Sequence, residues 1–168
     1  MTAAGLTLSV AFLLFAALSV LLSVIDIREH RLPNALVLPA YPIGIAMLAA
    51  ACALGADWSA WVRALVGMAL LFAFYLVLRL VSPRSMGGGD VKLAGVVGLM
   101  LGWIGWDALV IGAFAGFLFG GLFGLVMMAA RRADRRTAIP FGPFMLAGAW
   151  AGIILAPALS RWLLAGGA

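Results

Sequence analysis

Residues 108–130 read ALVIGAFAGFLFGGLFGLVMMAA, twenty-three positions without a charge, bracketed by Asp107 on one side and Arg131-Arg132 on the other. A helix rises about 1.5 Å per residue, so about 20 apolar residues cross a hydrocarbon core of about 30 Å. This stretch therefore reads as a membrane span. Its glycines Gly112, Gly116, Gly120 and Gly124 recur at every fourth residue, which lines them along one face. Such a face lets another helix approach closely, within the fold or in a dimer. Packing within the fold is the expectation.

Outward from that span the pattern repeats. Uncharged runs cover residues 1–25, 35–56, 64–78, 93–106 and 137–160. Two of them, 64–78 and 93–106, are too short to cross unaided and must borrow from their flanks. The reading is an all-α membrane protein of about six transmembrane helices, with 1–168 as a single integral membrane domain. Composition agrees: 66% of the residues are apolar and 10% charged, far too little charge to cover a soluble domain. The first run lacks a basic n-region and exceeds a usual signal h-region, so it reads as a retained span. The single Cys52 excludes an internal disulfide and a cysteine-rich zinc site. It reads as a packed, inert thiol. No cofactor is expected.

The net charge of +5 would suggest nucleic acid in a soluble protein. Here the arginines cluster at span ends, so topology explains them and no nucleic-acid partner is expected. The first, third and fifth connections hold Arg28, Arg31, Arg79, Arg84, Lys92, Arg131, Arg132, Arg135 and Arg136. The opposite side holds Arg63 and Arg161. The positive-inside rule puts the first group in the cytoplasm and both termini outside. Asp26 and Asp90, in connections one and three, then share the cytoplasmic edge.

There are six acidic residues. Asp57 and Asp107 fall in short outer connections and read as ordinary solvated acids. Asp134 lies in an arginine cluster, and Glu29 in a charged loop. Asp26 and Asp90 remain, at membrane edges where ionisable groups mark function. For Asp26 alone, a solvated helix-end acid is the simpler account. Asp90 follows Gly87-Gly88-Gly89. That run allows either a flexible loop or close approach of a substrate backbone, and the two readings fit equally. The helix carrying Asp90 should begin near Gly89 or Asp90. Lys92 should point away from it, with its stem reaching the interface and no catalytic role. Two carboxylates held close in a low-dielectric site cannot both ionise easily, so the pair keeps one proton. One can then activate water while the other polarises a carbonyl. Asp26, Glu29 and His30 have i, i+3, i+4 spacing, which raises a metal cluster as a minor alternative. The metal expectation is none.

Three segments carry a family resemblance: Asp26-Ile27-Arg28 through Arg31-Leu32-Pro33-Asn34, Gly87-Gly88-Gly89-Asp90-Val91-Lys92-Leu93, and Ile139-Pro140-Phe141-Gly142-Pro143-Phe144. Together, in this order, they resemble the type IV prepilin leader peptidases. In size the chain is similar to the short form of Flp-type, tight-adherence pili. The resemblance implies a presenilin-like, Gly-x-Gly-Asp aspartic protease of the bacterial inner membrane. It would cut after a glycine on the cytoplasmic side, just before the apolar helix of a prepilin. Asp26 and Asp90 would be catalytic. Gly87, Gly88, Gly89, Pro140, Phe141, Gly142 and Pro143 would shape the site. Pro140–Pro143 also suits a helix start, and Pro33-Asn34 a helix entry with Asn34 as cap. Long members carry an N-terminal segment with paired Cys-x-x-Cys motifs tied to N-methylation, which this sequence lacks. Methyltransferase activity is therefore expected to be absent. The other class of reading is a small ion-coupled transporter or channel, or a pilus-assembly subunit, with cation-binding aspartates. The lack of an internal repeat and the placing of both acids at one edge weigh against the transporter.

Overall fold

The computed structural model describes residues 2–82, 86–130 and 140–166, the side chains at 161 and 163–166 excepted. Six helices follow one another: α1 (Ala3–Glu29), α2 (Asn34–Ala53), α3 (Trp58–Val81), α4 (Gly88–Ile104), α5 (Trp106–Ala129) and α6 (Gly142–Gly166). No strand occurs among the described residues. Local chemistry sets the ends. The Thr2 hydroxyl accepts the Gly5 N–H at 3.1 Å and opens α1. His30 closes that helix in the left-handed region, with φ 51°, and the chain turns into α2 within a few residues. The carbonyl of Phe141 accepts the N–H groups of Phe144 and Met145 at the start of α6. Pro143 sits in that first turn, where its missing N–H does no harm.

Five of the six helices are long and apolar enough to cross a membrane. The exception is α4, with 17 residues. It is instead the centre of the bundle, and every residue from Leu93 to Trp103 is buried. It touches α2, α3, α5 and α6. A helix apolar on all sides belongs in such a place. Outside, the apolar side chains face away from the protein. Leu13 and Val20 on α1 and Val110 and Phe114 on α5 are each 67% exposed. An apolar surface of this extent is suited to lipid and not to water. The chain is a multi-pass, all-α membrane protein.

Glycines set the tightest helix pairs. On α3 and α4, a Cβ at Gly67 would stand 2.7 Å from the carbonyl oxygen of Gly98. On α5 and α6, a Cβ at Gly152 would stand 2.6 Å from the carbonyl oxygen of Ala108. Gly112, Gly116 and Gly120 all abut α6 or the Phe141 side chain leading into it. The glycine face of α5 thus packs within the fold, as its spacing predicts.

Arg63, Cys52, Asp57 and Asp107 sit at the end of the bundle that holds the α1, α3 and α5 N-termini. Arg63 forks onto the last carbonyls of α4, donating to Gly102 and Trp103 at 2.8 Å each. This satisfies acceptors that the helix itself leaves open. Cys52 is buried, its thiol donating to the Asp57 carbonyl at 3.4 Å. Asp57 is exposed and caps α3 by accepting the Ser59 N–H at 2.8 Å. With the Ser59 hydroxyl it holds its carboxyl below the usual range. Asp107 is exposed, in keeping with its solvated reading. It lies in the first turn of α5 and accepts the Ser160 hydroxyl of α6 at 2.7 Å. Arg84, Asp134 and the arginine cluster at 131–136 lie outside the described residues.

Candidate active site

Asp26 occupies the last turn of α1 and is 5% exposed, the only buried charged residue among those described. Its Oδ2 accepts the Gly142 N–H at 3.0 Å, across 116 residues of sequence. The first N–H groups of a helix lack intrahelical partners and carry the positive end of its dipole. A carboxylate suits that place. Gly142 has to be glycine for this contact, because a Cβ there would stand 2.7 Å from the same oxygen.

Asp90 lies in the first turn of α4 and is partly buried. Its Oδ2 accepts the Gly87 N–H at 3.0 Å, which closes the turn into the helix. The start of α4 at Gly88 is one residue earlier than the expected limit. Gly87 is the cap, and Gly88 and Gly89 are the first two helical residues. Each aspartate is thus tied by one oxygen to a glycine N–H at a helix start. The other oxygen of each has no hydrogen-bond partner among the described residues.

Leu32 joins the two halves. It is buried in the turn between α1 and α2. A Cβ at Gly89 would stand 2.8 Å from Leu32 Cβ, and one at Gly142 would stand 3.5 Å from Leu32 Cδ2. The same side chain therefore lies against the backbone beside Asp90 and next to the backbone that holds Asp26. The charges of Asp26 and Arg79 both reach Asp90, and that of Asp90 reaches Tyr75. The Arg79 guanidinium packs directly on Gly88. Tyr75 is fully buried and stacks on Phe117 at 5.4 Å, while Phe117 meets Phe141 at 5.3 Å. Phe141 is thereby anchored among α3 and α5, which fixes Pro140, Gly142 and Pro143 around it.

The three segments singled out in the sequence converge here, and some of their members take other places. Glu29 and His30 are exposed, and Glu29 pairs with Arg31 at 2.6 Å. α1 ends at Glu29, with Asp26 buried and Glu29 and His30 exposed. No group of three His, Cys, Asp or Glu residues gathers among the described residues. Asn34 is not a cap. Pro33 holds that position without a side-chain bond, and the Asn34 amide oxygen instead accepts from Lys92 Nζ at 2.9 Å. Lys92 is therefore engaged in a contact between α2 and α4. Sequence reasoning quoted Leu32 within the first motif segment without giving it a role in the site, and it gave none to Tyr75 or Arg79. Arg79 was open to view as a cation of the third connection. Tyr75, within an apolar run, carries no signal that separates it from core.

Fold and site together define a polytopic membrane protein with two neighbouring carboxylates at one end of its bundle, each bound to a glycine N–H. The chain belongs to the type IV leader peptidase family, whose family model matches residues 13–125. Both aspartates fall inside that match, and the Pro140–Pro143 segment lies beyond it. Over 159 residues it is 31% identical to a prepilin leader peptidase/N-methyltransferase of Aeromonas salmonicida, covering 93% of this chain and 53% of the relative. It is 30% identical over 151 residues to the protein of the same description from Bacillus subtilis, covering 87% and 58%. A third, from Stutzerimonas stutzeri, is 31% identical over 134 residues, covering 79% and 45%. The chain spans about half the length of these curated relatives. No solved structure matches it.

Proposed function

We propose that residues 1–168 form an aspartic endopeptidase that removes the leader from type IV, Flp-like prepilins. Asp26 and Asp90 are its catalytic pair, at the cytoplasmic face of the bacterial inner membrane. The observation that carries this reading is the convergence on Leu32. One side chain lies against the Gly89 backbone beside Asp90 and next to the Gly142 backbone that binds Asp26. Family membership supplies the substrate class, and the charge bias of the connections supplies the orientation.

The chemistry needs the pair to hold one proton between them. The ionised carboxylate takes a proton from water, and the resulting hydroxide adds to the scissile carbonyl carbon. The protonated carboxyl donates to the carbonyl oxygen. The tetrahedral intermediate then collapses: one of its two hydroxyls returns a proton to the pair as the carbonyl re-forms, the C–N bond breaks, and the leaving nitrogen takes up the other proton from the pair. No covalent enzyme intermediate forms. Gly88 and Gly89 are covered by Arg79 and Leu32, so the side on which an extended substrate backbone can come close is that of the exposed Gly87, which has no Cβ.

The relatives' names add a second activity, N-methyl transfer. We assign only the peptidase activity to these residues. By the family resemblance, methylation goes with paired cysteine motifs, and the one cysteine here is buried at the far end of the bundle. The test is co-expression with an Flp-type prepilin. A smaller product on a gel is expected, with an unmethylated new N-terminus by mass spectrometry in the presence of S-adenosylmethionine. If no Flp-type precursor is shortened, the ion-coupled or assembly-subunit reading takes its place.

A further inference from the structure

The carboxylate pair depends on how α4 is rotated, since Asp90 sits on its first turn while Asp26 is carried by α1. Two bonds from α2 reach that turn, and both end on Lys92, two residues after Asp90. The Tyr41 hydroxyl donates to the Lys92 carbonyl at 2.6 Å. A helix carbonyl has two lone pairs, so it can accept this bond as well as its intrahelical one. The Lys92 ammonium donates to the Asn34 amide oxygen at 2.9 Å. The approach of Tyr41 is possible only over Gly95, where a Cβ would collide with the phenol oxygen. Asn34 opens α2 directly after the turn that carries Leu32. The backbone and the side chain of one residue are thus held from the same helix, α2.

We propose that Tyr41 and Asn34 are positioning residues for the acid pair. By gripping Lys92 at two points they fix the rotation of the first turn of α4, and with it the separation of Asp90 from Asp26. Neither residue touches the reacting atoms. The Tyr41–Lys92 contact is part-buried, so it is less open to competing water than an exposed hydrogen bond and resists slippage. The Lys92–Asn34 bond is nearer the solvent and acts as the second, weaker point.

The proposal rests on the peptidase reading for its effect on turnover, but the geometry can be measured without activity. In a Cys52→Ser background, Asp26→Cys and Asp90→Cys are combined, and the rate of closure by a short thiol-to-thiol cross-linker is followed in membranes. The background pair is expected to close readily. Adding Tyr41→Phe, which keeps the ring and removes the donor, should slow closure severalfold. Asn34→Ala should slow it less, and Asn34→Asp, which retains an acceptor for Lys92, should restore it. In the chain with both aspartates intact, Tyr41→Phe should lower kcat about tenfold with KM little changed, as expected for displaced catalytic groups. Cross-linking in the Tyr41→Phe protein at the background rate would overturn the proposal. So would a background pair that fails to close. If cross-linking responds as expected but no prepilin is cut by any variant, the positioning stands and the peptidase reading fails.

Discussion

The two ends of the bundle each hold a pair of aspartates, and they use them differently. At one end, Asp57 and Asp107 each accept from a serine hydroxyl, Ser59 and Ser160, and serve to cap or tie helices. They lie on different elements with no shared neighbour among their hydrogen-bond partners. At the other end, Asp26 and Asp90 accept from glycine N–H groups, share Leu32 as a neighbour and lie within electrostatic reach of each other. An acid satisfied by a hydroxyl is finished structurally. An acid held by one oxygen at a glycine has its other oxygen without a hydrogen-bond partner among the described residues. Position near a membrane edge is common to all four, so on the proposed reading it is the partners, and not the position, that separate the two pairs.

That contrast can be broken in several ways. Replacing either Asp26 or Asp90 with Asn should lower prepilin cleavage roughly a thousandfold or more, since general acid–base catalysis contributes about that much. Normal amounts of inserted protein on a blot would show that folding is intact. Gly142→Ala should be the next most damaging. Its methyl would enter the space of Asp26 Oδ2, and a displacement of catalytic groups by about 1 Å can lower turnover about a hundredfold. Kinetics of cleavage in detergent would measure it. Gly98→Ala acts on packing and away from the acids. It should destabilise the bundle by about 1–3 kcal/mol through overpacking against α3, seen as a lower Tm with the activity of the folded fraction retained. Smallest of all, Asp57→Asn and Asp107→Asn should leave cleavage within about twofold of the parent, with only a slight loss of Tm, in keeping with exposed caps.

Much of this was legible in the sequence. The uncharged runs mark the helices, because hydrocarbon thickness imposes a length that composition reveals directly. The arginine and lysine bias put Asp26 and Asp90 at one edge before any contact was known. The four-residue glycine spacing of α5 predicts its packing face correctly, since a period of four is local. Contacts that depend on the rotation of one helix against another stayed hidden. The bonds of Lys92 with Tyr41 and Asn34 join residues 51 and 58 positions apart, and no local pattern encodes them. Asn34 illustrates the error that follows. Its type and place suggest a cap, yet a neighbouring helix offers its side chain a charged donor. The contact of the exposed Asp107 with Ser160 stayed hidden for the same reason, since the two lie 53 positions apart. The central role of α4 was also hidden, since a short apolar run looks like a weak span until its neighbours surround it.

The most direct test sets the four aspartates side by side. Asp26→Asn, Asp90→Asn, Asp57→Asn and Asp107→Asn are each co-expressed with an Flp-type prepilin, and the size of the prepilin is read on a gel at equal levels of inserted enzyme. The account predicts full-length prepilin with the first two variants and processed pilin with the last two. Processing at near the parental rate by either Asp26→Asn or Asp90→Asn would contradict it.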